Sequence, residues 1–376
     1  MNNIDDGNDM YIDQHDDHKD DDLKLGGHVF DGPEADDQKH VNAVNIVFLI
    51  LVTLPQILML LGLGKLINTN TSNLLVSQAL YVIPVLCYLI FVRKSAQPCR
   101  FNKIRISNIL LCLLFYICMM PVLVLLNTIS LLYSSNAISN VMVDLSSEIP
   151  YPVAILVVAV IPAFCEELTY RGVFYNTYRK VNPLAAIFLS GALFGLLHGN
   201  LNQISYAIAM GVVFAMIVEA TDSIFSSMVV HCLVNSFSTT LIYVLPKALE
   251  YFKALLQEAI EAGDTQTKDL VISIIGSEDI TMESIFANSA AGASTANVLS
   301  SIRGSLFPAA IGGFLAFMLL RCIARRCGRW EHFCNIFRKP EKRGKLLTTP
   351  LIVAFLIMVG LIVLNELSIR GIINVH

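Results

Sequence analysis

Charge is scarce in this chain. Asp, Glu, Lys and Arg make up 15% of its 376 residues, whereas 55% are hydrophobic and the mean hydropathy is +0.63. A soluble domain carries roughly 25% charged residues. The deficit, with repeated apolar runs of about 20 residues, excludes an ordinary soluble domain and places the chain in a membrane. Other absences narrow the field. Cys322, Cys327 and Cys334 lie in or beside a basic loop but lack the CxxC pairs of a zinc ribbon. Cys87, Cys112, Cys118, Cys165 and Cys232 fall in apolar spans and read as small buried hydrophobes. HExxH does not occur, and no convincing internal repeat is present. The basic clusters flank apolar spans, where membrane orientation explains them, so nucleic-acid binding finds no support. The first residues, DDGNDMYIDQHDDHKDDD, lack the basic n-region of a signal peptide. They are too polar to offset the entropy of ordering, so residues 1–40 read as a disordered acidic tail. His15, His18, His28 and His40 belong to that solvated tail rather than to a cation site.

Nine candidate spans follow: about 41–66, 73–92, 106–133, 152–178, 184–198, 203–219, 224–245, 306–323 and 347–367. The expected fold is all-α, a polytopic membrane bundle of about eight or nine helices with a core cavity. The fifth span is short, starting after Pro183 and stopping at His198-Gly199, as helix-start and helix-stop residues predict. Pro121 should kink the third span or end a turn there. RKSAQPCRFNKIR and RCIARRCGRWEHFCNIFRKPEKRGK are rich in Lys and Arg. NTNTSN and SSNAISNVMVDLSSEIPY contain neither. The positive-inside rule then puts both basic loops and the N-terminus in the cytosol and the C-terminus outside. Residues 246–305 become an extramembrane insertion. Its ALEYFKALLQEAIEAG stretch has a helical apolar period suited to a membrane surface, and ANSAAGASTANVLSS reads as a loop.

Against this apolar background, three polar clusters stand out: Glu166, Glu167 and Arg171 in CEELTYRG, Phe194 and His198 in FGLLHGN, and His231 and Asn235 in HCLVNSF. An ionisable side chain in hydrocarbon costs roughly 2.5–3.5 kcal/mol or more, so it is usually tied to function. Glu167 and Arg171 share a helix face and can pair. Glu166 points about 100° away, without that partner, and is a candidate general base or acid. A wet helix end carrying two carboxylates and an arginine is the bland alternative. His198, with Phe194 packed one turn earlier, also fits a helix-packing hydrogen bond. His231 and Asn235, one turn apart, also fit an interhelical pair. Measured along the helices, Glu166 lies ~18 Å, His198 ~21 Å and His231 ~10 Å from the span ends, so all three can meet in mid-membrane.

EExxxR at Glu166–Arg171, FxxxH at Phe194–His198 and HxxxN at His231–Asn235, in this order on membrane helices, resemble the CAAX prenyl endopeptidase and bacteriocin-processing (CPBP, or Abi) family of intramembrane proteases. The likeness covers about 150–245, with the acidic tail and the insertion outside it. It implies glutamate-driven peptide-bond hydrolysis in a helical membrane core. Glu166 would activate water with help from His198. His231 and Asn235 would stabilise the oxyanion, and Glu167, Arg171 and Phe194 would support them. The family is often called a metalloprotease, and zinc on Glu166, His198 and His231 would have an open position. The Asn beside the second His suits an oxyanion hole better, so the expectation leans to chemistry without an essential metal. Partners are then the bilayer and a peptide or protein substrate. The division expected is 1–40 tail, 41–150 N-terminal spans, 151–245 catalytic core, 246–305 insertion and 306–376 C-terminal spans. A non-catalytic scaffold or regulator, a bacteriocin self-immunity protein and a proton-coupled transporter are the alternatives. The last predicts inverted repeats, which the chain lacks.

Overall fold

The computed structural model describes residues 35–91, 99–134, 144–275, 295–337 and 344–373. The acidic tail up to 34 and the part of the insertion from 276 to 294 lie outside the described residues. Helices α1 (Ala35–Leu60), α2 (Asn70–Phe91), α3 (Ile106–Ser130) and α4 (Tyr151–Tyr178) precede the short α5 (Pro183–Leu196). Helices α6 (Leu201–Thr221), α7 (Ile224–Ala262), α8 (Thr265–Ile275), α9 (Thr295–Arg326), α10 (Trp330–Asn335) and α11 (Thr349–Ile369) follow. Eight of these helices are long and apolar enough to cross a membrane, and α5, at 14 residues, is not. The protein is an all-α polytopic helical bundle, with no strand among the described residues.

Local chemistry sets the ends of α5. Asn182 caps it by accepting from Ala185 N at 3.1 Å, and Pro183 takes the first turn, where its missing N–H costs nothing. Gly199 ends the following turn with φ +66°. The expected boundaries hold here, with His198 in the turn just past the helix. Pro121 does not end α3, which runs unbroken to Ser130.

Helices α5 and α6 approach more closely than side chains would allow. A Cβ on Gly211 would come within 2.6 Å of Gly191 Cα, so both positions need glycine. That approach sets Phe194 of α5 beside Phe214 of α6. Helix α4 is underwound to wider, π-helical turns over 155–160 and 168–175, on either side of Glu166 and Glu167. Such widened turns recur at functional sites.

The insertion differs from the sequence expectation. Helix α7 continues through Pro246 to Ala262, about 58 Å of helix against a ~30 Å hydrocarbon core. Gly263, at φ +69°, then reverses the chain, and α8 folds back with Val271 against Leu249 and Leu256. The ALEYFKALLQEAIEAG stretch is therefore the end of a long helix rather than a separate surface helix. The last residues of the expected loop, from Thr295, already belong to α9. Hydropathy marks where a membrane is crossed, not where a helix stops.

The two basic loops meet. Glu219, fully buried near the end of α6, accepts Arg100 at 3.0 Å, Arg179 at 2.6 Å, Arg329 at 3.5 Å and His332 at 3.0 Å. Tyr175 OH donates to the same carboxylate at 2.7 Å. One carboxylate thus pins the loop before α3, the end of α4 and the α9–α10 turn. All nine cysteines are free thiols. Cys112 is buried as expected, whereas Cys87 is exposed on the outer surface of the bundle.

Candidate active site

The polar clusters come together around α4. Arg171 Nη1 meets Glu167 Oε1 at 3.0 Å, with both side chains wholly buried. Arg171 Nη2 donates to Gly211 O at 3.0 Å. Its guanidinium lies over the rings of Phe194 at 4.6 Å and Phe214 at 5.0 Å, where the faces of the rings attract the cation. The expected Glu167–Arg171 pair is thus present and clamped from three sides.

His231 of α7 turns towards the same carboxylate. Its Nδ1 lies 3.0 Å from Glu167 Oε1, and its ring stacks on Phe214 at 5.1 Å. A carboxylate accepts, so Nδ1 carries the hydrogen and Nε2 faces away from Glu167. That Nε2 lies 3.8 Å from Glu166 Oε2. The other oxygen of Glu166 accepts from Gln78 Nε2 of α2 at 3.1 Å. The two neighbouring glutamates therefore have different surroundings: a buried cation and an imidazole N–H for Glu167, a neutral amide for Glu166.

Phe194 links the two histidines. Its ring meets His198 at 5.0 Å and His231 at 5.7 Å, both edge to face. His198 Nδ1 lies 2.9 Å from Phe194 O. A carbonyl only accepts, so Nδ1 is the donor and Nε2 keeps its lone pair. His198 stands on the wall of a cavity of about 660 Å³ between α1, α2 and α11, together with Tyr81, Met59, Leu361 and Asn365. Asn235 is half-buried and donates to Val158 O at 3.1 Å, two turns before Glu166 on α4. Its place on the His231 face of α7 is as expected, but this N–H is already engaged with backbone.

Among the described residues, no three His, Cys, Asp or Glu side chains converge as a metal-holding group. In both histidines the engaged nitrogen is Nδ1, on Phe194 O in His198 and on Glu167 in His231, which leaves each Nε2 open. Glu166, His198 and His231 are not gathered as such a group, and no step below is routed through an ion.

Comparison with known proteins bears on the same stretch. Residues 148–237 match the family described as type II CAAX prenyl endopeptidase Rce1-like. All seven motif residues from Glu166 to Asn235 fall inside that interval. A protein of Bacillus subtilis (strain 168), named "Putative membrane peptidase YdiL", is 29% identical over 87 residues, 23% of this chain. The chain spans about a third of that relative's length, 36%. No solved structure matches the chain significantly.

Sequence reasoning missed part of the site. Gln78, Tyr81 and Phe214 lie outside the three motifs, and the first two lie outside the Rce1-like segment. A lone amide in the apolar run of α2 was the available signal for Gln78. Phe214 had none, since a phenylalanine in a membrane helix is unremarked.

Proposed function

We propose that this protein is an intramembrane peptidase of the CAAX-protease type, hydrolysing a peptide bond of a membrane-proximal peptide or protein. The observation that carries this reading is the divided environment of the two glutamates. Glu167 is committed to Arg171 and His231, whereas Glu166 is held by a neutral amide and keeps an oxygen directed towards the His231 ring. Two carboxylates with separate surroundings suit separate roles.

In this reading Glu166 takes a proton from water as the water oxygen attacks the scissile carbonyl carbon. His198 Nε2, its lone pair free of Phe194 O, helps to hold that water. The carbonyl oxygen becomes an oxyanion, stabilised by the second N–H of Asn235 and, when the His231 ring carries hydrogens on both nitrogens, by its Nε2–H. Such donors in a water-poor cavity are worth roughly 3–4 kcal/mol. The C–N bond then breaks, and protonated Glu166 returns its proton to the leaving amine. Glu167 and Arg171 hold His231 in its tautomer and orientation. The cavity beside His198 admits the substrate. Both basic loops face the cytosol in this reading.

Peptide termini compared between cells expressing the wild type and Glu166→Gln at equal abundance test this. Cleavages seen with the wild type alone support the peptidase and reveal its substrate. Identical termini refute it and favour a scaffold or regulator. Cleavage that survives exhaustive chelation agrees with hydrolysis by these side chains without an essential metal.

A further inference from the structure

Gln78 lies on α2, outside the Rce1-like segment, yet it is the residue that touches Glu166. Its amide nitrogen donates to Glu166 Oε1 at 3.1 Å. The nitrogen must be the atom on that side, because a carboxylate oxygen accepts. The residue is only 4% exposed. Its carbonyl Oε1 is buried and has no hydrogen-bond partner among the described residues. Nearly all buried polar atoms find a partner, so an orphaned acceptor beside a candidate general base asks for a donor that arrives with the reaction.

One turn further along α2, Tyr81 OH reaches Leu197 O, the carbonyl before His198, at 3.4 Å. Both Tyr81 and His198 line the cavity. Helix α2 thus touches Glu166 through Gln78 and, through Tyr81, the backbone carbonyl next to His198. A neutral amide has an advantage over a cation at Gln78. It fixes one oxygen of Glu166 without neutralising the charge that must accept a proton.

We propose, resting on the peptidase reading above, that Gln78 is a positioning residue of the reaction. Its N–H fixes Glu166 Oε1, leaving Oε2 to take the proton, and its orphaned carbonyl accepts the second hydrogen of the attacking water. The water is thereby held with a lone pair towards the scissile carbon, and Gln78 gains and loses no atom in the step.

The test uses the full-length protein in proteoliposomes. The substrate is a quenched fluorescent peptide spanning a cleavage site found only in cells with the wild type. Gln78→Met keeps length and volume but loses both hydrogen-bonding atoms. Gln78→Asn keeps the amide but falls one methylene short. Each is expected to lower kcat by about tenfold or more with KM within about twofold, since the lost interaction matters in the transition state rather than in binding. A kcat within about twofold of wild type, or a loss confined to KM, overturns the proposal. If Gln78→Met fails to fold, Gln78→Asn is judged by the same limits. Glu166→Gln serves as the reference. If it cleaves like wild type, the peptidase reading falls and this proposal with it. If cleavage needs Glu166 but is indifferent to Gln78, only the positioning role is lost.

Discussion

His231 reaches Glu167 rather than lying open beside Asn235: its Nδ1 is 3.0 Å from Glu167 Oε1. The same oxygen receives Arg171 at 3.0 Å. Glu167 is therefore the keystone of a dry Arg–Glu–His chain that runs from α4 to α7. An i,i+4 ion pair on a helix surface adds only a few tenths of a kcal/mol. A buried pair behaves differently when one partner is removed.

Glu167→Gln should consequently cost about 3–5 kcal/mol, because it strands the Arg171 cation in the bundle. The neighbouring Glu166→Gln should cost far less, since it breaks up no buried ion pair. Thermal unfolding of the two variants in detergent measures the difference. The double variant Glu167→Leu, Arg171→Met should recover much of the stability lost by Glu167→Gln alone, because no charge is left unpaired. Equal melting temperatures for Glu166→Gln and Glu167→Gln would show that the buried pair contributes no such asymmetry.

Phe194 supports both imidazoles and the Arg171 guanidinium with one ring. Phe194→Leu retains apolar volume but removes the flat surface. The expected result is a loss of about tenfold or more in kcat with a modest stability change of under about 1.5 kcal/mol. Steady-state kinetics beside a melting curve separates these. A stability loss without a kinetic one would make Phe194 a packing residue only.

Much of this was legible in the sequence, for a reason specific to membranes. Glu166, Glu167, Arg171, His198 and His231 are conspicuous because ionisable groups are rare in apolar runs. The Glu167–Arg171 pair followed from helical spacing alone, as the ends of α5 followed from Pro183 and Gly199. What spacing cannot give is contact between helices. Nothing in the sequence tells Gln78 to face Glu166, or His231 to prefer Glu167 over a place beside Asn235. Glu219 breaks the same apolar rule as Glu166, but its partners Arg100, Arg179, Arg329 and His332 sit in separate loops that only the fold brings together.

That Glu219 cluster predicts an ordered hierarchy of losses. Glu219→Ala strips Arg179 and His332 of their carboxylate and leaves Arg100 and Arg329 with Asp222 Oδ1 alone, at 3.3 and 3.5 Å, and should destabilise by about 3–5 kcal/mol. Arg329→Ala, whose side chain is 21% exposed and lies at 3.5 Å, should cost much less. Limited trypsin digestion gives the local readout. Cleavage in the 99–105 and 325–332 stretches should quicken together in Glu219→Ala. Quickening in one loop alone would show that Glu219 does not tie them to each other.

Glu148 gives a prediction in pH. Its carboxylate, at the edge of the Rce1-like segment, accepts from Asn70 N and Thr71 N at 3.1 Å each and from Thr71 OH at 3.0 Å. It thus caps the start of α2, the helix that carries Gln78 and Tyr81, where a negative charge complements the free N–H groups. The backbone N–H of Thr71, above all, holds this carboxyl below its usual 4.5. A carboxylate depressed in the folded state contributes stability that is fully present above its unfolded value and is lost as pH falls through the folded value. The wild type should therefore lose melting temperature on acidification from about pH 5 downwards, in part through this group. Glu148→Gln should melt lower than wild type at pH 7, and the gap should close as pH falls below 4.5. A gap that is constant across that range would mean that the cap acts through shape rather than charge. If the gap closes and catalysis at pH 7 is also weakened in Glu148→Gln, the start of α2 is coupled to the Gln78–Glu166 contact two turns along the same helix.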